Sequence, residues 1–304
     1  MRTSLSQQIQ NSLIHISNAS NALMIAQNKA VSGKRISKPS DDVLGTSQAM
    51  SLRSTIKTND QFADNMTVSK PMLSATEQSL QNLVKIVQSV KTIALAANTP
   101  DTTGSTNPTR AAQLDDIMGQ LVDVANTQHL DQYIFSGTMG NVAPVKAQAG
   151  PQPYQYMGDS GTRSAQVLSW VSLPLNIPGD KVFNFDGSAG AGTTDLFTMV
   201  KNLRDAIAAG DSNAITAQYK NIDSNLDNLL SCTARVGNWL SRMDNAQGVL
   251  DDAKPRLQQM LSDQEDIDLP QAIIDLKTQE NVYQSALMVS SQILNISLAS
   301  MNNK

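Results

Sequence analysis

The chain has 304 residues, a net charge of -4, 16 % charged residues and only 4 % aromatics. A mildly acidic chain with no basic run lacks the electrostatic footprint of a nucleic-acid binder. The single Cys232 leaves no internal disulfide and no thiolate zinc site, and its helical setting fits a small buried thiol. The length leaves room for two or three domains, and scarce aromatics fit elongated helical packing.

The first element is unusual in its lack of charge. No Asp, Glu, Lys or Arg occurs from Thr3 to Asn28, and His15 is the one ionisable group near neutrality. Leu5, Ile9, Ser12, Ile16, Ala19, Leu23, Ala26 and Ala30 alternate spacings of four and three, a heptad seam. Frayed polar tails are the competing reading. The unbroken seam favours a helix instead.

Pro39-Ser40-Asp41-Asp42 reads as a break followed by an N-cap, opening a helix through Ala49, Leu52, Ile56, Ala63 and Met66. Pro71 is expected to interrupt or restart it. The next seam is Leu73, Leu80, Val87 and Ala94, flanked by Leu83, Val90 and Ala97. A Thr/Gly/Pro loop spans Asn98 to Pro108. A further helix from Thr109 carries Leu114, Ile117, Leu121, Val124 and Leu130.

Between Gly137 and Thr193 the composition changes: nine of the sixteen glycines lie here, with Tyr154, Tyr156, Trp170, Phe183 and Phe185. Ala165–Leu173 and Lys181–Phe185 read as strands between turns. The two tyrosines and Trp170 are expected to be core residues. A short helix (Leu196, Val200, Leu203, Ile207) ends at Gly210, and Asp211 or Ser212 caps the next. That helix carries a ladder from Ile215 through Ile222, Leu229, Val236, Met243 and Leu250 to Leu261, with a kink expected at Pro255.

The last element mirrors the first, since Val282 to Asn303 holds no Asp, Glu, Lys or Arg. One stripe is Leu287, Leu294, Leu298 and Met301; a second is Val289, Ile293 and Ile296. Apolar surface on two sides calls for neighbours on two sides, which one intramolecular partner cannot supply. Eight Ser, Gln and Asn residues between Val282 and Met301 leave too little apolar surface for the ~20 residues of a membrane span. No short aliphatic core follows Arg2, so a cleavable signal peptide is not expected.

Catalytic patterns do not assemble. Gly158-Asp159-Ser160-Gly161 spells the tetrapeptide around a protease nucleophile, but such a serine needs a nearby His. His15 and His129 both fall in segments that read as helical, so a polar turn is the better reading. The pairs Asp41-Asp42, Asp115-Asp116 and Asp251-Asp252 diverge on a helix and suit caps and solvated faces. Asp263, Glu265, Asp266 and Asp268 lack calcium-loop spacing. No cofactor and no enzymatic activity are expected.

Ser32-Gly33-Lys34-Arg35-Ile36, then Asp41-Asp42 and Arg53, resembles the N-terminal signature of the bacterial flagellin family. Arg235-Val236-Gly237 and Glu265-Asp266-Ile267-Asp268, continued by Ala272, Leu276 and Gln279, resemble its C-terminal signature. Phe135-Ser136-Gly137-Thr138 and Tyr156-Met157-Gly158-Asp159 look like the members that join hook to filament. Leu269-Pro270 departs from the family pattern, and Pro270 fits the first turn of a helix. The likeness covers roughly residues 1–140 and 195–304.

The expected fold is mainly α, an elongated coiled coil and helical bundle formed by the N- and C-terminal segments, with a small β-rich insert. Residues 1–38 and 269–304 are read as assembly helices, 39–138 and 194–268 as the bundle, and 139–193 as an outer insert. The resemblance implies a structural adaptor of the flagellum, exported without a cleaved signal peptide and located outside the cell. Its implied partners are copies of itself in a ring or short helical segment, a hook-associated protein on the hook side, flagellin on the filament side, and an export chaperone at the C-terminal region. Neither nucleic acid nor membrane insertion is expected. A filament-forming flagellin is the alternative; an enzyme or adhesin in the insert is a more distant one.

Overall fold

The structure is a computed structural model. It describes residues 2–98, 106–150, 152–187, 190 and 192–302, side chains of residues 2–6, 8 and 294–302 excepted. The protein is mainly α, with three small antiparallel strand pairs among the described residues. The chain divides into two compact units, residues 1–58 with 252–304, and residues 59–251. Helices α2 (Val43–Ala97) and α6 (Ser212–Glu265) contribute to both.

The core of the larger unit is a pair of heptad seams. Leu73, Leu80, Val87 and Ala94 of α2 are wholly buried, each seven residues from the last. Ile215, Ile222, Leu229, Val236, Met243 and Leu250 repeat that spacing on α6, none more than 5 % exposed. The helices run antiparallel: Tyr219 Oη donates to the Ala94 carbonyl (3.3 Å), Lys91 pairs with Asp223 (2.7 Å) and Lys70 with Asp244 (2.5 Å). A 3.5-residue apolar repeat keeps both seams facing over many turns. Burial of each large aliphatic contributes about 1.5–3 kcal/mol. Helices α3 (Thr106–Ala125) and α5 (Leu196–Ala209) add Leu114, Leu121, Phe197, Val200 and Leu203 to the same core.

Caps fix where the helices begin. Gly45 N donates to Asp42 Oδ1 (2.8 Å) at the start of α2, and Thr198 N to Asp195 Oδ1 (2.9 Å) at α5. Asp211 Oδ1 accepts from Asn213 N and Ala214 N at α6. These carboxylates satisfy amides with no intrahelical partner. Pro71 does not interrupt α2, which runs through it unbroken, and Pro255 likewise lies inside α6. Pro71 sits on the exposed side of a helix anchored by buried Ser69, Leu73 and Thr76, so the loss of one hydrogen bond is tolerated.

The β-rich region differs most from expectation. Helix α3 ends at Ala125 rather than reaching Leu130, because the Asn126 side chain exchanges two hydrogen bonds with the Val145 backbone. A tight hairpin follows, β1 (Gln128–His129) with β2 (Gln132–Tyr133), turning through Leu130 and Asp131 at φ 50° and 59°. His129 is therefore in a strand, not a helix. Strand β3 (Val145–Ala147) pairs with β4 (Tyr154–Tyr156).

The single strand expected over Ala165–Leu173 is instead a hairpin, β5 (Ser164–Leu168) and β6 (Val171–Pro174). Gln166 Nε2 donates to the Ser169 carbonyl (2.9 Å) and steadies the turn, leaving Trp170 78 % exposed rather than in the core. Lys181–Phe185 is no strand either: Pro178 precedes the single turn α4 (Gly179–Val182), and Asn184, at φ 63°, turns the chain away.

Four of the five phenylalanines gather here with two tyrosines. Phe135 meets Phe183 edge-on at 5.5 Å, and Phe197 contacts Phe183, Phe185 and Tyr154 at 5.1–5.8 Å. These rings, with Val145, Val167, Leu173 and Ile177, belong to the same hydrophobic cluster as the bundle helices. Replacing Leu80 by Ala in this shared core is expected to lower stability by about 2–5 kcal/mol in urea unfolding. Leu13→Ala, at a 60 % exposed position, is expected to change it little.

Candidate assembly interface

In the smaller unit, α1 (Arg2–Ser32) and α7 (Leu269–Asn302) pack antiparallel, with Ser12 Oγ donating to Ser290 Oγ at 2.9 Å across 278 residues of sequence. The expected α1 seam is the sheltered face. Ile9, Ser12, Ile16, Leu23, Ala26 and Ala30 are half-buried and Ala19 is buried. On α7 the sheltered face is Ala272, Leu276, Gln279, Tyr283, Ala286, Ser290 and Ile293, again at spacings of four and three.

Of the three α7 assembly candidates with described side chains, Ile293 is found on that face and Leu287 and Val289 are not. Leu287 and Val289 are 43 % and 55 % exposed, in company with Met288. On α1, Leu13, Ile14, Met24 and Ile25 are more than half exposed. The side chains of Leu5, Leu294, Ile296, Leu298 and Met301 lie outside the described residues. A groove of about 660 Å³ runs beside the pair, lined by Asn11, His15, Val282, Ser285 and Val289 among others.

The two signature segments meet where these helices turn back. Gly33, at φ 67°, ends α1 in the left-handed conformation that glycine adopts without cost. The α1–α2 and α6–α7 connections then pair through their backbones. Arg35 N donates to the Glu265 carbonyl (2.6 Å), and Ile267 N donates to the Gly33 carbonyl (3.1 Å). Glu265, its side chain 7 % exposed, receives Lys34 Nζ (2.9 Å) and Arg53 Nη2 (2.6 Å) on the same Oε2. Arg35 reaches both Asp42 (3.2 Å) and the Gln264 carbonyl (2.9 Å). Asp41 accepts from the amides of Ser37 and Lys38. Ser32, Ile36, Asp266 and Asp268 complete the cluster, Ser32 accepting from Lys34 N and Asp268 from Gln271 N.

Burial by itself would raise the Glu265 carboxyl; hydrogen bonds and charge from Lys34 and Arg53 outweigh it and hold it below the ordinary carboxylate value. Asp41 is lowered by the Lys38 and Ser37 amides, and Asp42 by the Gly45 amide and Arg35.

In the larger unit the second pair of motifs also converges. Asp159 accepts from Thr138 N (2.6 Å) and from the Thr138 hydroxyl, while Asp159 N donates to the Ser136 carbonyl (3.2 Å). Tyr156 Oη donates to the Phe135 carbonyl (2.8 Å) and accepts from Gly179 N (3.2 Å). Burial pushes the Tyr156 phenol upward, so it stays a donor. Gly137 takes φ 73° against the Asp159 carboxylate, leaving no room for a Cβ. Gly237 faces Glu77 across the helix pair.

Ser160 of the Gly-Asp-Ser-Gly segment donates to the buried Asp180 carboxylate. Among the described residues no group of three or more His, Cys, Asp or Glu could hold a metal ion, and no helix is long and apolar enough to cross a membrane. Of this face the sequence points to Ala272, Leu276 and Gln279 only through the signature and to Ile293 through its stripe; Tyr283, Ala286 and Ser290 are not assigned to it, although they keep the same spacing.

The depressed carboxyls contribute stability at neutral pH and lose it as pH falls through their folded values, below the ordinary ~4 of a carboxylate. Glu265→Gln is expected to speed hydrogen exchange at the Arg35 and Ile267 amides roughly 5–30-fold, the equivalent of about 1–2 kcal/mol. That gain should shrink toward acid, where the native Glu265 is itself protonated. Gly137→Ala is expected to destabilise the larger unit by more than about 1 kcal/mol in urea unfolding, because it adds a Cβ at positive φ.

Residues 4–139 match the family model of the bacterial flagellin N-terminal helical region. The chain is 24 % identical to flagellar hook-associated protein 3 of Escherichia coli K12 over 318 residues, 98 % of each chain. It is likewise 24 % identical to flagellar hook-associated protein 3 of Salmonella typhimurium, covering 99 % of this chain and all of that one. The crystal structure of the flagellar junction protein FlgL from Legionella pneumophila has the same fold, with a TM-score of 0.60 at 17 % identity. That match covers 72 % of this chain and 99 % of the Legionella one. The N-terminal part of the chain thus matches the flagellin N-terminal helical region, and over nearly its whole length the chain is similar to flagellar hook-associated protein 3 of these two bacteria.

Proposed function

We propose that the chain is a structural junction protein of the bacterial flagellum, an adaptor that connects hook to filament. The observation that carries this reading is the α1–α7 pair. One uncharged seam of each helix is filled by the other, and Leu13, Ile14, Met24, Ile25, Leu287, Met288 and Val289 are left exposed. Thr3–Asn28 and Val282–Asn303 hold no Asp, Glu, Lys or Arg, and helices with so much exposed apolar surface are stable when neighbouring molecules cover them. The end-to-end likeness to hook-associated proteins supports the flagellum as the assembly that does so.

In this reading residues 1–38 and 269–304 supply the assembly helices, 39–138 and 194–268 the bundle, and 139–193 an outward insert. Copies form a ring or short helical segment, with a hook-associated protein on one side and flagellin on the other. A cytosolic chaperone holds the C-terminal region before export, and the protein works outside the cell. Its role is mechanical rather than catalytic, in keeping with a Ser160 engaged by a carboxylate.

Electron microscopy of cells lacking the chain tests this. Hooks without filaments, with flagellin released into the medium, are the expected result. Normal filaments on such cells would overturn it.

A further inference from the structure

We infer that the cavity beneath the α1–α2 connection receives the acidic α6–α7 connection of a second copy, joining copies head to tail through unlike charges. The inference rests on the reading that the chain works as an assembly of copies. The cavity, of about 470 Å³, lies wholly within the smaller unit. Lys34, Lys38 and Arg53 line it, with Glu265 as its only carboxylate. Lys34 and Arg53 share that one carboxylate oxygen, and Lys38 makes no ion pair among the described residues, so positive charge is in surplus. Thr46 Oγ1, in the same cavity, is shut off from solvent and has no hydrogen-bond partner. Exposed Met50 adds an apolar wall. The chemistry fits a short acidic segment carrying an aliphatic side chain.

The other arm of the same unit offers that segment. Residues 1–58 carry seven Lys or Arg against two Asp, whereas residues 252–304 carry seven Asp or Glu against four Lys or Arg. Asp263, Asp266 and Asp268 are exposed, and their partners are Gln259, Ser262 and the Gln271 amide rather than cations. Ile267 sits between the last two. Each copy therefore keeps an unspent basic pocket and an unspent acidic loop. A contact between two unlike patches is heterologous, and it propagates into a ring or helix instead of closing as a dimer. Its strength falls with added salt, because the charges are partly exposed.

The test uses cells carrying two distinguishably tagged copies, one with Lys38→Cys and one with Asp268→Cys. Flagella are isolated and oxidised. A disulfide-linked pair bearing both tags is expected. Lys38→Glu is expected to lower swimming at least about tenfold, and Asp268→Lys in the same chain to restore it, since like charges across a contact repel. Lys38 is exposed, so circular dichroism should show an unchanged fold. Both tagged copies present in flagella without a linked pair, a link only to a different protein, or full swimming by Lys38→Glu would each overturn the inference. Absence of every version, native included, from isolated flagella would instead overturn the junction reading, and this inference with it.

Discussion

One carboxylate oxygen, Oε2 of Glu265, receives both Lys34 and Arg53, and the register of the α1–α7 pair depends on it. The seams of that pair are small and repetitive: Ala19, Ala26 and Ala30 on one helix, Ala272 and Ala286 on the other. Such surfaces slide over one another at little cost, and a heptad shift would find nearly equivalent contacts. Groups that must be satisfied at one place remove the ambiguity. Glu265 cannot leave its two cations without a buried charge unpaired. The Arg35 and Ile267 amides reinforce the same alignment from the backbone. Ser12 and Ser290 repeat the device farther along.

The two units use one sequence period to different ends. In the larger unit the heptad positions hold Leu, Ile, Val and Met, almost all wholly buried, and the aromatic cluster welds the β hairpins to the same core. In the smaller unit the described heptad positions are mostly Ala, Ser, Ile and Leu, and apart from buried Ala19, Ala272 and Ser290 they are only half-buried. Apolar burial sets local opening free energy, so the end helices are the low-stability part of the molecule. The same residues that make it unstable alone leave surface for others.

The long helices were legible because their apolar positions repeat over about six turns in α2 and about ten in α6, at 3.6 residues per turn, a signal that tertiary context does not override. The caps at Asp42 and Asp211 were legible from residue type and place. The β region was not, for local reasons. Leu130 at positive φ has no sequence signature, and the short alternation in Ala165–Leu173 conceals a turn at Ser169-Trp170. Lys181–Phe185 mimics a strand in composition while Pro178 and Asn184 dictate a single helical turn. Where the α1–α2 and α6–α7 connections meet, the signature residues could be named from resemblance alone. What they do could not: Lys34 and Arg53 stand 231 and 212 residues from Glu265, a separation at which a lone sequence carries no pairing information. The sheltered face of α7 was not legible as one stripe, because Ala286, Ser290 and Gln279 interrupt its apolar character.

Cys232 lies on the inner side of α6, 3 % exposed, with burial raising its thiol above the ordinary range. The thiolate is the reactive form in oxidation and exchange, so this sulfur is chemically quiet. The fold needs no disulfide to form, and its buried thiol is closed to exchange with glutathione. Such a polypeptide can mature under reducing conditions and serve under oxidising ones without any change in its covalent bonds.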